Sequence, residues 1–271
     1  MDLKNKFRGL FATARRVHAT KPYREWLNLV ACYCGGFSGK RVLDVGCDLQ
    51  GSLITEIVRG FGASEAIGIN PAIREKEIFP DCRIEGGDIR KTSYPDGHFD
   101  VIVSTSAFEH IQDLPDALKE MHRVLKSGGV LYSHFGPIWS TSYGHHLWLN
   151  HEKKLYNYWN TVLPPYCHLL MKPDELLDTM MARGYAAGVS GAVVHYIYNS
   201  PEQNKLFYED YERIIKSGDF KTLFFKGYDH PELRKLYLNG VSPSVFETLK
   251  DKYGDRSNFM YDGITLLLKK E

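Results

Sequence analysis

The chain is sparing in the features that define several classes of protein. Its five cysteines, Cys32, Cys34, Cys47, Cys82 and Cys167, form no CxxC pair and no regular framework. That argues against a disulfide scaffold or a thiolate zinc module and reads as reduced thiols in a cytoplasmic protein. Apolar stretches such as residues 264–268 are far too short to span a bilayer. Neither charge sign is in excess: 34 Lys and Arg against 33 Asp and Glu leave a net charge of +1, so the basic footprint of a nucleic-acid binder is missing. Internal repeats and low-complexity segments are absent. The opening MDLKNKFRGLFATARR is basic without a continuous apolar stretch or a small-residue cleavage site. It is expected to be a solvated helix face and not a signal peptide or a membrane anchor.

What remains is an ordinary globular composition, 43% hydrophobic and 25% charged over 271 residues, enough for one α/β domain with an elaboration. Residues 3–34 carry a helical pattern with a break near Pro22. Short apolar strands are expected at 41–45, 66–69, 82–84, 99–104 and 130–135, with a helix after the first and another over 114–126. Gly128 and Gly129 supply a stop for the second of these helices. Such alternation predicts an α/β fold: a Rossmann-like, mostly parallel sheet with helices on both faces. A helix is expected over 173–183, a strand near 188–198, mostly helix over 201–255 and a closing strand over 263–269. The division that follows is an N-terminal helical segment, 1–37, and a main domain, 38–271, with helical and aromatic insertions at 137–166 and 201–258 forming a lid.

The segment Val42-Leu43-Asp44-Val45-Gly46-Cys47-Asp48-Leu49-Gln50-Gly51-Ser52 stands at the carboxyl end of the first strand, where open α/β sheets bind ligands. Glycine at 46 lets the backbone approach a ligand closely. A dinucleotide would bring its pyrophosphate to the following helix N-terminus, where a carboxylate at 48 repels it; that disfavours a Rossmann oxidoreductase. A sulfonium with an ammonium and one carboxylate tolerates the acid.

Downstream lie Gly87-Asp88-Ile89-Arg90, the strand Phe99 to Ser104, Ala107-Phe108-Glu109-His110-Ile111, and Met121-His122-Arg123-Val124-Leu125-Lys126-Ser127-Gly128-Gly129. In order and spacing these resemble the small-molecule class I S-adenosylmethionine-dependent methyltransferases over residues 38–136. The resemblance implies that Asp44 and Gly46 hold the methionine end of the cofactor, that Asp88 bonds the adenine amino group with Ile89 against the ring, and that Ser104 lines the pocket below the reacting sulfur. Asp48 and Gln50 stand where the family has glycines. Asn70 stands where it has the acid that grips the ribose hydroxyls; an amide serves a diol without charge assistance. Asp48 and Asn70 are accordingly placed in or beside the cofactor site.

Methyl transfer to a hydroxyl needs alignment and a base, and histidine suits the second task near neutral pH. His145 and His146, in the aromatic insertion beyond the fifth strand, are the first candidates and His110 the next, with Glu109 as partner or substitute. His145, His146, His151 and Glu152 match no ordinary zinc spacing. The Asp-rich signature of magnesium-dependent catechol methyltransferases is absent at Ser104-Thr105-Ser106, so metal independence is expected. The aromatics of 137–166, Trp148 and Tyr158 among them, either form a satellite core or line a pocket for sugars or flat rings. The stretch Phe135 to Trp148 is faintly similar to methyltransferases of bacterial surface-glycan and secondary-metabolite clusters. The reading is O-methylation of a saccharide or another small hydroxyl acceptor; the alternative is a catalytically silent methyltransferase-like subunit that binds or scaffolds a partner.

Overall fold

The computed structural model describes residues 21–74, 76–254 and 256–271. Most of the N-terminal pattern at 3–20 therefore lies outside the described residues, and its described remainder is the helix α1 (Lys21–Cys34) with Pro22 in the first described turn.

Strand alternation builds a core on each face of one sheet. In β1 (Arg41–Val45), Leu43 and Val45 join the cluster on one face while Val42 joins the other. The same division holds in β2 (Glu65–Ile69), β5 (Phe99–Thr105) and β6 (Leu125–Phe135). The helix α2 (Ser52–Phe61) covers one face through Leu53, Ile54 and Ile57. On the other lies α3 (Leu114–Val124), which buries Leu114, Ala117, Leu118, Met121 and Val124. Each large apolar side chain so buried contributes about 1.5–3 kcal/mol. Trp26 of α1 stacks on Tyr132 of β6, with ring centroids 4.9 Å apart.

With β3 (Lys76–Phe79), β4 (Cys82–Glu85), β9 (Lys221–Tyr228) and β10 (Gly263–Lys269), the sheet order is β3-β4-β2-β1-β5-β6-β10-β9. Strands β4, β2, β1, β5 and β6 run parallel. At the edges β3 is antiparallel to β4, and β10 is antiparallel to both β6 and β9. The chain leaves β1 toward β2 and β4 and returns on the other side as β5. The crevice beyond the carboxyl ends of β1 and β5 is thus a topological switch point, the place where such sheets take ligands.

The remaining elements are a hairpin, β7 (Trp148–His151) with β8 (Lys154–Asn157), and the helices α4 (Cys167–Leu170), α5 (Pro173–Ala182), α6 (Ala187–Asn199), α7 (Tyr208–Ser217), α8 (Pro231–Leu238) and α9 (Ser244–Tyr253). Two sequence expectations are corrected here. The strand expected near 188–198 is the helix α6: Val189, Val193 and Ile197 are buried at four-residue spacing, and that stripe packs against Leu176 and Met180 of α5. The stretch expected to be mostly helical contributes the edge strand β9, so the main sheet runs through the 201–258 segment; its strand residues are only partly buried and show no clean alternation. Among the described residues no helix is long and apolar enough to cross a membrane.

Candidate functional site

Beyond the ends of β1 and β5 lies a cavity of about 380 Å³, within the range of small-molecule sites. Its floor is Val45, Gly46, Ser106 and Ala107, one end is Gly87 to Arg90, and its roof includes His146, Trp148, Tyr158 and Tyr196. Trp148 and Tyr158 therefore line the space, whereas Tyr143 and Tyr166 are buried in satellite clusters. The aromatic insertion does both things considered for it.

Gly46 has φ +86°, and a Cβ there would run into the Cβ of Ala107. Glycine is needed because the loops after β1 and β5 touch back to back. Asp48 folds onto its own loop: its carboxylate accepts the N–H of Gln50 at 2.7 Å and of Ser52 at 3.2 Å. The Ser52 amide opens α2, so the end that would attract a phosphate already faces a negative group. Asp48 is not among the cavity-lining residues, and Gln50 is exposed.

Asn70 does line the cavity, and both ends of its amide are engaged. Its Nδ2 donates to the Cys47 carbonyl at 3.0 Å, and its Oδ1 accepts the N–H of Ala72 at 2.9 Å. It clamps the glycine loop to the turn after β2. Asp44 is 3% exposed and lies outside the lining; burial, with the charge of Asp48 second, pushes its carboxyl up to about 8. Asp88 and Ile89 form one wall. The Asp88 carboxylate is held by the Arg90 guanidinium at 2.6 Å, which together with the Arg90 amide keeps its pKa low, and Arg90 also reaches Asp113 at 2.7 Å. Ser104 is fully buried and donates to the Val45 carbonyl at 2.9 Å, tying β5 to β1 without facing the cavity.

The histidines separate. His145 is buried outside the large cavity; its Nδ1 accepts the N–H of Leu147 at 3.1 Å and its ring lies 5.8 Å from that of His168. His146 and His110 both line the cavity, with ring centroids 4.9 Å apart. Between them and Glu109 a cluster forms whose nearest nitrogen and oxygen atoms all lie within 4.8 Å of one another. Glu109 is fully buried in the short 3₁₀ turn Phe108–His110. Its Oε1 accepts the N–H of Gly136 at 3.2 Å while Oε2 has no partner, and burial raises its carboxyl to about 8. His110 Nδ1 lies 2.6 Å from the Glu202 carbonyl. A carbonyl only accepts, so Nδ1 carries the proton and Nε2 presents a lone pair. Burial holds both cavity histidines below their ordinary pKa, and therefore neutral. His146 has φ +45°, a conformation that non-glycine residues adopt at some cost, and its Nδ1 is shut away without a partner.

The structure thus brings together Gly46, Asn70, Asp88, Ile89, His110 and His146 around one space, and leaves Asp44, Asp48, Ser104 and His145 behind its walls. Of the residues expected at Ser104 and its neighbours, it is Ser106 that lines the cavity, and sequence reasoning missed Ala107, Tyr196 and Glu202. Tyr196 was hidden by reading α6 as a strand. Glu202 reaches the site because Asn204 straps its segment to the 3₁₀ turn, donating to the Phe108 and Ile111 carbonyls at 2.7 and 3.0 Å.

A family profile described as a methyltransferase domain matches residues 15–187. The chain is 35% identical over 125 residues to phosphoethanolamine N-methyltransferase 1 of Zea mays, covering 43% of this chain and 23% of that one. It is 38% identical over 99 residues to the 2-methyl-6-phytyl-1,4-hydroquinone methyltransferase of Synechocystis, covering 34% and 31%. The match thus spans less than a third of either relative's length. Among solved structures, an S-adenosylmethionine-dependent methyltransferase from Mesorhizobium loti superposes with a TM-score of 0.51 at 12% identity, over 90% of this chain and 97% of that one. Geranyl diphosphate C-methyltransferase from Streptomyces coelicolor, solved with S-adenosylhomocysteine, gives 0.50 at 15% identity over 92% and 76%. At those identities the likeness is one of fold.

Proposed function

The chain belongs to the methyltransferase-domain family, and from that membership we propose that it moves a methyl group from S-adenosylmethionine to a hydroxyl oxygen of a small acceptor, a saccharide or a similar polyol. The cavity fits that cofactor better than a dinucleotide. Asp48 fills the helix N-terminus where a pyrophosphate would sit. Beside it, Asp44 is a buried carboxyl that positive charge would complement. Gly46 forms the floor, Ile89 an apolar wall for a flat ring, and Asp88 an acceptor for an amino group.

S-adenosylmethionine supplies an electrophilic methyl group, so the protein has to align the acceptor and take its proton. Trp148, Tyr158 and Tyr196 offer apolar faces with polar tips at the far end of the cavity, suited to a ring bearing hydroxyls. The observation that carries the reading is the Glu109, His110 and His146 cluster, which shares one cavity with Gly46 and Ile89. His110 Nε2 and the His146 imidazole present neutral, proton-accepting nitrogen there, and Glu109 Oε2 lies beside them. Of the two adjacent histidines, His146 takes the base role. Transfer of a labelled methyl group to a panel of sugars and polyols, run beside matched amines, tests the proposal. Label in the hydroxyl compounds supports it; label in the amines alone refutes it.

A second reading has one specific observation in its favour. Asn70 is uncharged and spends one amide N–H on the Cys47 carbonyl and one lone pair on the Ala72 amide, which leaves it a weaker partner for a ribose than a free carboxylate, as expected if the chain were a catalytically silent binding subunit. Calorimetry with S-adenosylhomocysteine separates the two, since a silent scaffold that has lost its cofactor site gives no heat of binding.

A further inference from the structure

We propose that Glu109, His110 and His146 form a binding site for one first-row divalent metal ion of the Zn²⁺, Co²⁺ or Fe²⁺ type, open toward the cavity. Two imidazoles and one carboxylate converge here, and their ligand atoms already lie within 4.8 Å of one another. Bonds of about 2.0–2.2 Å to a tetrahedral ion require separations of about 3.3 Å, so modest side-chain rotations complete the closure. The donor set suits ions that accept imidazole nitrogen and disfavours Mg²⁺ and Ca²⁺, which prefer oxygen alone.

Four further observations point to a ligand. Glu109 Oε2 is fully buried and has no partner, although its sister oxygen is fixed by the Gly136 amide. His146 Nδ1 is likewise shut in and unpartnered. Each such atom calls for an explanation, and here both belong to residues of one cluster. The supporting bond is also of the kind that metal ligands have: His110 donates Nδ1–H to the Glu202 carbonyl, which sets the tautomer and leaves the lone pair on Nε2 free. The left-handed conformation of His146 directs its ring toward that of His110, at a cost in backbone energy that a bound ion would offset.

Three protein ligands leave a position for an oxygen donor from the cavity side, as in catalytic metal sites. A bound ion takes up the lone pair of His146, so the base role given to that residue belongs to the metal-free chain; the part the ion would play in its place rests on the hydroxyl-acceptor reading, because it would receive the acceptor oxygen, whereas the binding of the ion does not. The expectation of metal independence drew on Ser104-Thr105-Ser106 and on the spacing of His145, His146, His151 and Glu152, whereas this cluster joins the 3₁₀ turn to the aromatic insertion.

The test is titration of the metal-stripped full chain with Co²⁺, following its visible absorption, with neither cofactor nor acceptor present. One equivalent is expected to give bands of a four- or five-coordinate ion, Zn²⁺ to displace it, and Mg²⁺ to produce no effect. Glu109→Gln and His146→Asn, the latter chosen because asparagine tolerates the left-handed backbone, should each weaken binding at least tenfold. His151→Ala, outside the cluster, should leave it unchanged. Absence of the bands, loss of binding in His151→Ala, or full affinity in both cluster variants overturns the site. If one cluster variant does not fold by circular dichroism, the other decides. S-adenosylhomocysteine binding measured on the same samples reports separately on the methyltransferase reading.

Discussion

Replacing Asn70 by aspartate introduces the acid that the resemblance to class I methyltransferases implies at this position, and from the sequence alone it promises tighter ribose binding. The structure predicts the reverse. The Nδ2 donor to the Cys47 carbonyl would become an oxygen, placing two acceptors 3.0 Å apart at a 5%-exposed site. The lost bond and the buried carbonyl left unsatisfied together cost about 1–3 kcal/mol, which for a chain of this size lowers Tm by roughly 2 to 5 °C. A new charge-assisted bond to a ribose hydroxyl returns no more than about 1–2 kcal/mol, and only if the loop stays in place. The pH dependence gives the signature. A protonated carboxyl donates to Cys47 as the amide does, and burial raises the folded-state pKa of the introduced group above its unfolded value. The variant should therefore match the parent at low pH and lose stability as pH rises through that folded pKa. Thermal unfolding of both proteins between pH 4 and 8, with S-adenosylhomocysteine calorimetry at pH 7.5, is the assay. Equal Tm values across the range together with tighter cofactor binding would refute the clamp assigned to Asn70.

Gly46→Val should abolish S-adenosylhomocysteine binding and also lower Tm, because its Cβ meets Ala107 at a positive φ; normal affinity by calorimetry would contradict the placement of the cofactor over this loop. His146→Ala should reduce kcat roughly 100- to 10,000-fold toward a hydroxyl acceptor with cofactor affinity kept. His145→Ala should mainly reduce stability, since that ring faces Leu147 and His168; steady-state kinetics showing the opposite order would return the base to His145. Asp44, raised to about 8 chiefly by burial, stabilises the free protein fully below the unfolded value near 4, and that contribution is lost as pH rises through about 8. A cationic cofactor favours its ionised form, so S-adenosylmethionine binding at pH 7 should expel a proton and tighten as pH approaches 8. Heats identical in buffers of different ionisation enthalpy, or an unchanged proton release in Asp44→Asn, would oppose this.

The parallel half of the sheet was legible because each strand is a short apolar run between helices whose apolar residues recur every three or four positions, and the Gly46 loop falls at the switch point for the same reason. Legibility failed where packing overrides local preference. The valines and tyrosines of α6 look strand-like, but Val189, Val193 and Ile197 form a helical stripe against α5. β9 was hidden because an edge strand that is only partly buried has no alternation to read. In the site, residue type marked His110 and His146, and the family resemblance Asp88, yet spacing could not distinguish His146 from His145. His146 has a positive φ, and of the two neighbouring rings it alone lines the large cavity. The part played by Asn70 depends on the Cys47 carbonyl 23 residues earlier, a contact that only the folded chain creates.

The most direct test is a crystal structure of the chain with S-adenosylhomocysteine bound, reading where the ligand's ring and sulfur lie. The expected result is an adenine ring against Ile89 with its amino group at Asp88, the chain of the ligand over Gly46, and the sulfur directed at the space between His146, His110 and Glu109. A ligand seated elsewhere, or one whose sulfur points away from that cluster, would contradict the proposal that methyl transfer takes place there.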